Sequence, residues 1–423
     1  MVILMMDPRK ILEEEIKRET ILINPGVLSE SYIPDHLLFR EEEIAQITRH
    51  FGRFLRGIHP GNLLIHGPPG TGKTHAIQLI ARSYNSFAKE QEIDSEMIYV
   101  NCKDKTYYQI IVSLLHELGV NFPSRGLGVG EAVDALAKYL KKSSGTYVFI
   151  FDEIDKIKRS ARDREEPMNA LIYRMSRLDE LTGKENVAFA VISNRTDILQ
   201  KLEYFTRSKF IPEIVYFREY NAIELAEILK DRVEKAFKPG TVDEAVPKLL
   251  AALIKRSGKD LRWGFRVLKE AGFLATDKVT ENVIWKAVEI VDRDMLKETI
   301  QGFDLDQLIV LWAIAFLEDA GITPMTGTVY HLYKIACDEL EWTPRTMRHV
   351  MHYITPKLET QGLVTSKEKG LGRGRGKTLI FHIEEEPVKI LNLVEKVLSE
   401  KFGRTLDHVT NPVFQEIRVR GIV

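Results

Sequence analysis

Cysteine is scarce in this 423-residue chain: Cys102 and Cys337 are the only two, and they lie far apart. They offer neither a metal quartet nor a disulfide framework, and they fit a reducing interior. A dominant charge is missing too. The formal net charge is -1, so the whole chain does not announce a polyanion partner and any basic surface has to be local. The longest apolar run, Leu308 to Leu317, is about half a membrane span, and MVILMM followed by DPRK lacks the length and cleavage site of a signal peptide. No membrane segment and a cytoplasmic, nucleoid-associated place are therefore expected. Internal repeats are absent as well. What remains is an ordinary globular composition, 44% hydrophobic, in a chain long enough for two or three domains.

The stretch NLLIHGPPGTGKT, Asn62 to Thr74, organises the rest. An apolar strand, Leu63 to His66, runs into a Gly-rich turn and a helix that opens with Lys73. Gly67, Gly72, Lys73 and Thr74 meet the phosphate-loop pattern, with Pro68, Pro69, Gly70 and Thr71 between them. The glycines let backbone N–H groups close around phosphate oxygens at a helix N-terminus. Lys73 reaches the β- and γ-phosphates, and the Thr74 hydroxyl is placed to ligate magnesium. ATP or ADP with Mg2+ is the expected cofactor.

Four further strands are expected, at Met97–Cys102, Thr146–Asp155, Val187–Asn194 and Glu213–Phe217. TYVFIFDEID is apolar throughout and ends in acids, as a central parallel strand does where it meets a ligand. Asp152 would hold magnesium and Glu153 would polarise the attacking water. Asn194, at the next strand tip, either bonds that water or the γ-phosphate or forms a turn before Arg195. Strands alternating with helices imply a parallel sheet with right-handed crossovers. From Asn221 helices alone follow, to about residue 296.

These segments, GPPGTGKT, FIFDEID, VISN and a following helical unit, resemble the AAA+ ATPases. The resemblance implies that the helical unit is a lid whose arginine reads the γ-phosphate. Arg262 in SGKDLRWGFRVLKEAG matches that position, although Lys259-Asp260 stands where Gly-Asp is usual. Tyr220 and Arg232 match a nucleotide-contacting pair, with a packed hinge aromatic as the other reading of Tyr220. Arg207 in KLEYFTRSKF is the matching arginine finger, a surface arginine being the alternative because the usual aspartate is absent.

Between Trp342 and Ile380 eight basic residues face two acidic ones, a local surplus that favours a polyanion. A helix N-capped by Thr343, with Pro344 at its first position, would carry Arg345 and Arg348 on one face. A hairpin bearing Lys367, Lys369, Arg373, Arg375 and Lys377 follows. This looks like a winged helix-turn-helix, its helix for the major groove and its wing for phosphates.

Together the chain is similar to the archaeal replication initiators of the origin recognition complex and cell division control type, from about Ile33 to the wing. The resemblance implies an α/β AAA+ P-loop parallel sheet, an α-helical lid and a C-terminal winged helix. The expected divisions are an N-terminal helix and approach segment 1–28, nucleotide module 29–218, lid 219–296, winged helix 300–385 and helical tail 386–423. It also implies DNA contact near residues 119–130, with Arg125 a further candidate. The expected function is a slow ATPase that binds double-stranded origin DNA, uses ATP as a switch and helps load a replicative helicase, with initiator paralogues as further partners. The alternatives are an ATP-binding DNA regulator and an AAA+ motor.

Overall fold

The computed structural model describes residues 20–160, 165–370 and 377–406. The expected N-terminal helix, Arg373, Arg375 and the tail beyond 406 lie outside those residues. The chain forms two compact units, which divide between Ala287 and Val288.

The first unit is built on a five-stranded sheet of β1 (Leu63–His66), β2 (Ser95–Asn101), β3 (Thr146–Asp152), β4 (Val187–Ser193) and β5 (Glu213–Tyr216). Its order is β2-β3-β4-β1-β5 and every pairing is parallel. Side-chain alternation sends Leu64, Phe149, Phe151, Phe189 and Val191 to one face, under the helices Tyr107–Glu117, Val129–Lys142 and Pro167–Met175. Leu63, Ile65, Val148, Ile150 and Ala190 go to the other, under Glu41–Phe51 and Lys73–Glu90. Because both faces are covered, β3 is apolar along its length and polar only at its end. Asn101 is paired with Asp152 there, so the C-terminal strand ends gather the polar side chains. Three helices continue this unit: Ala222–Ala236, Val246–Ser257 and Leu261–Leu274. Asn221 and Glu224 close a capping box on the first, and Asp260 caps the third through bonds from the backbone N–H groups of Arg262 and Trp263.

The second unit is centred on the helix Leu305–Asp319. Leu305 to Leu317 are all buried, so the apolar run is the core of a small domain, each large side chain adding about 1.5–3 kcal/mol on burial. Around it stand the helix Thr326–Glu339, an antiparallel hairpin of β6 (Val364–Gly370) and β7 (Lys377–Ile383), and the helix Pro387–Phe402.

The expected recognition helix starts later than the Thr-Pro signal implies. Its cap is Thr346, whose Oγ1 accepts from the His349 N–H at 3.3 Å. The preceding residues are held extended by side-chain bonds: the Arg345 N–H donates to Tyr333 Oη and Tyr330 Oη donates to the Arg345 carbonyl, both at 3.0 Å. Arg345 is consequently off the helix, with its Nε 3.1 Å from Asp306 Oδ2. Past Met347–His349 the helix widens to a π turn over Val350–Ile354 before Thr355–Thr360. Pro356 explains the widening, since it has no N–H for the carbonyl four residues back.

Asp306 is 8% exposed and also accepts from Tyr333 Oη at 2.6 Å and Trp342 Nε1 at 3.0 Å. Asp306→Ala would strand these donors, at about 1–3 kcal/mol for a buried one. Urea unfolding should show a loss of about 2–3 kcal/mol; an unchanged midpoint would contradict this anchoring.

Candidate functional site

Between the phosphate loop and the first and third lid helices lies a cavity of about 490 Å³. Its floor is the loop itself, from Gly70 to Thr74. Gly70 and Gly72 have φ of +73° and +90°, the left-handed region in which glycine is at home. A Cβ on Gly70 would stand 2.6 Å from the Asp260 Cβ, so the lid closes on the loop at a point where only hydrogen fits. Gly67, Pro68 and Pro69 precede the floor in the chain and do not line the cavity. The contribution of Gly67 and Pro68 is made by carbonyls: Lys73 Nζ donates to Gly67 O at 2.7 Å and Pro68 O at 2.6 Å. Burial pushes the Lys73 ammonium down to about 8, against the pull of Asp152.

Thr74 Oγ1 donates to Asp152 Oδ2 at 2.7 Å, and Tyr99 Oη donates to the same oxygen at 2.8 Å. Burial raises the Asp152 carboxyl above its usual value, with those two bonds opposing. Among the described residues no cluster of three or more His, Cys, Asp or Glu could hold a metal unaided. The Thr74 hydroxyl and the Asp152 carboxylate nonetheless form the hard-oxygen pair that suits magnesium completed by phosphate and water.

Glu153 sits at the strand end with φ of 52°, a backbone state uncommon for a residue with a side chain. Its Oε1 pairs with Lys156 Nζ at 2.8 Å and its Oε2 accepts from Asn101 Nδ2 at 3.3 Å. Burial pushes this carboxyl up, but the bonds from Lys156 and Asn101 outweigh it and hold the group below the usual carboxylate range. An ionised base is available, engaged by its neighbours. Asn194 also lines the cavity, and its N–H bonds Asp155 Oδ1 at 3.4 Å.

The opposite wall brings Tyr220, Arg232 and Arg262 to the same space. Arg262 is half exposed, its Nε 4.0 Å from Asp260 Oδ2. Arg232 is 7% exposed, with its guanidinium over the rings of Tyr32 and Phe265 at 4.6 and 5.2 Å. Its Nε and Nη1 have no hydrogen-bond partner among the described residues. Two buried cationic donors without acceptors are costly, and a nucleotide in the cavity would supply what they lack. With a loop shaped for phosphate and an ammonium resting on carbonyls, the residues present fit ATP and magnesium. Arg207 is placed elsewhere, exposed on the helix Tyr204–Lys209 and outside this cavity.

Sequence reasoning missed Tyr99, Asn101 and Lys156. Tyr99 and Asn101 are alternate residues of β2, beside Ile150 and Asp152 of β3; polar residues two apart at the C-terminal end of the strand were the available signal.

In the second unit Arg348, Lys367 and Lys369 are exposed. Lys367 and Lys369 share the outer face of the hairpin by strand alternation. Lys377 does not join them: it is opposite Gly370, on the Glu368 face, and its Nζ pairs with Glu368 Oε2 at 2.7 Å. Arg345, bound to Asp306, is likewise separated from the helix that Arg348 stands on.

Residues 63–215 match the ATPase family associated with various cellular activities, residues 226–292 the Cdc6 AAA+ ATPase-type lid domain, and residues 298–392 the CDC6 C-terminal winged helix domain. The chain is 32% identical to the ORC1-type DNA replication protein of Thermococcus kodakarensis, over 90% of this chain and 92% of the relative. It is also 32% identical to ORC1-type DNA replication protein 1 of Aeropyrum pernix, over 92% and 96% respectively. Among solved structures, the A. pernix ORC1 protein in complex with DNA matches with a TM-score of 0.81 at 30% identity, covering 91% of this chain and 98% of that one.

The lowered Lys73 value makes nucleotide affinity depend on pH. Bound phosphates favour the charged ammonium, so ATP affinity should fall as pH rises through about 8, and binding above that pH should take up a proton. Calorimetry at pH 9 in two buffers of different ionisation enthalpy checks this; proton-neutral binding would contradict it.

Proposed function

The chain belongs to the ORC1-type DNA replication proteins, and from that premise we propose that it binds double-stranded origin DNA under the control of its bound nucleotide and helps load the replicative helicase. The carrying observation is the combination, in one chain, of the bonded Thr74–Asp152 oxygen pair beside the phosphate loop with a winged helix that exposes Arg348, Lys367 and Lys369. Arg348 would enter or flank the major groove, and the two lysines would lie along phosphates. DNA in the complex of the A. pernix relative supports the same partner here.

Lys73 would hold the β- and γ-phosphates, Thr74 and Asp152 the magnesium that offsets phosphate charge, and Arg262 the γ-phosphate from the lid. Glu153 would accept a proton from the attacking water, with Asn194 orienting that water. For Glu153 to reach the water, its carboxylate has to leave Lys156 and Asn101. That engagement supports slow turnover, and so an ATP switch in preference to a motor. Arg207 is the residue to supply charge to a neighbouring copy's γ-phosphate, with other initiator chains as the partners.

Lys73→Ala should abolish ATP binding, and Glu153→Gln should leave binding intact while cutting hydrolysis by about a hundredfold or more. Unchanged hydrolysis would favour a nucleotide-bound regulator without catalysis. Replacing Arg348, Lys367 and Lys369 by alanine should weaken DNA binding and flatten its log–log salt dependence by about 0.9 for each phosphate no longer neutralised; an unaltered slope would remove these residues from the interface. Genome-wide mapping of the bound protein should place it at replication origins, whereas sites dispersed among promoters would overturn the initiator reading.

A further inference from the structure

Arg40 is fully buried in the first unit, with 0% exposure. It stands at the N-cap of the helix Glu41–Phe51, where the helix dipole disfavours a positive charge. The chain reaches this arrangement through Phe39, whose φ is 62°, another position where a side chain is strained. Burying a guanidinium against a dipole and behind a strained residue is costly, and helix capping alone does not explain it.

Its contacts do. Arg40 Nε donates to the Thr71 carbonyl at 2.9 Å, inside the phosphate loop, and Nη2 donates to the Arg218 carbonyl at 2.6 Å, where β5 passes into the lid. Nη1 binds Phe39 O at 3.1 Å and Glu43 Oε1 at 3.2 Å. The guanidinium lies 3.9 Å from the centroid of the Tyr220 ring. Arg218 in turn pairs through its side chain with Glu224, in the first turn of the first lid helix, at 2.6 Å. One rigid fork therefore ties the loop under the phosphates to the backbone from which the lid hangs. Lysine is no substitute, because a point ammonium lacks the planar array of donors that holds two carbonyls and an aromatic face together.

We propose that Arg40 is a positioning residue that couples the shape of the phosphate loop to the base of the lid, so that nucleotide in the cavity orders the lid. The proposal rests on the nucleotide-binding reading above. When phosphates draw the loop N–H groups toward them, the Thr71 carbonyl moves with the same peptide backbone, and Arg40 carries that constraint to Arg218 and Tyr220.

The test uses the full chain with spin labels on Ser86→Cys, in the helix after the phosphate loop, and Lys248→Cys, in the second lid helix; both positions are exposed and both native cysteines are buried. Pulsed electron–electron resonance measures the label-to-label distances without and with saturating ADP, and fluorescence titration of a labelled ADP analogue gives affinity. In the otherwise native chain ADP should narrow the distances. Arg40→Lys should bind the analogue at least about tenfold more weakly and, once saturated, keep the broad distribution. Narrowing equal to that of the native chain, at saturation, would overturn the proposal and leave Arg40 a merely structural residue. A native distribution indifferent to ADP would overturn it as well. If the native chain binds no ADP, the nucleotide reading itself fails, which the titration distinguishes. Should Arg40→Lys not fold, Glu43→Gln removes the carboxylate from Nη1 and should reduce the narrowing; full narrowing would again overturn the coupling.

Discussion

The first unit depends on one uncomfortable cation. Lys73 is 5% exposed, and its ammonium rests on the carbonyl oxygens of Gly67 and Pro68, which give it hydrogen bonds but no full counter-charge. A buried ammonium held this way favours any arrangement that brings an anion to it. The fold around it supplies the means. Gly70 and Gly72 turn the loop so that its N–H groups can face that anion, and the helix beginning at Lys73 adds its dipole. The neighbouring strand ends bring Asp152 and Glu153 to the same edge. The loop is a site that dry packing does not complete, with Arg232's two unbonded donors on the opposite wall.

The sheet converts this local need into geometry. Since β3 is buried on both faces, its only exit for charge is the C-terminal end, and parallel pairing brings Asn101 of β2 level with Asp152. Tyr99 fixes the acid by one bond and Thr74 by another. Glu153 turns into a left-handed backbone state and reaches Lys156 instead. Two adjacent carboxylates are thereby given different duties by burial and partners: one raised and bonded to hydroxyls, the other held low by an ammonium. A comparable economy governs the second unit, where Asp306 gathers donors from three separate residues to fix the segment that leads into the recognition helix.

Much of the fold was legible because its signals are local. The loop from Gly67 to Thr74, the five apolar strands and the capped lid helices each declare themselves within a few residues. The apolar run at Leu308 was legible as too short for a membrane, and among the described residues no helix is long and apolar enough to cross one. The partners of the site were harder, because they come from distant segments: Arg40 meets the Arg218 carbonyl across 178 positions, and no spacing rule carries that. Arg40 stands just before an amphipathic helix, a place that in sequence suggests a surface residue, whereas its tertiary contacts draw it inward. The recognition helix misled for a different reason. Thr343-Pro344 is a sound capping signal, but the bonds from Tyr330 and Tyr333 to Arg345 hold that stretch extended and pass the cap to Thr346. The side-chain bond to Asp306 removes Arg345 from the helix face, and the register of β6 with β7 removes Lys377 from the face of Lys367 and Lys369.

Lys73 and the loop are shaped to hold a nucleotide between the sheet and the lid. The most direct measurement is a crystal structure with a non-hydrolysable ATP analogue and magnesium. The Lys73 ammonium should be drawn off the Gly67 and Pro68 carbonyls onto the β- and γ-phosphates, with Thr74 Oγ1 turned from Asp152 to the metal. An analogue bound elsewhere, with Lys73 still on its two carbonyls, would contradict it.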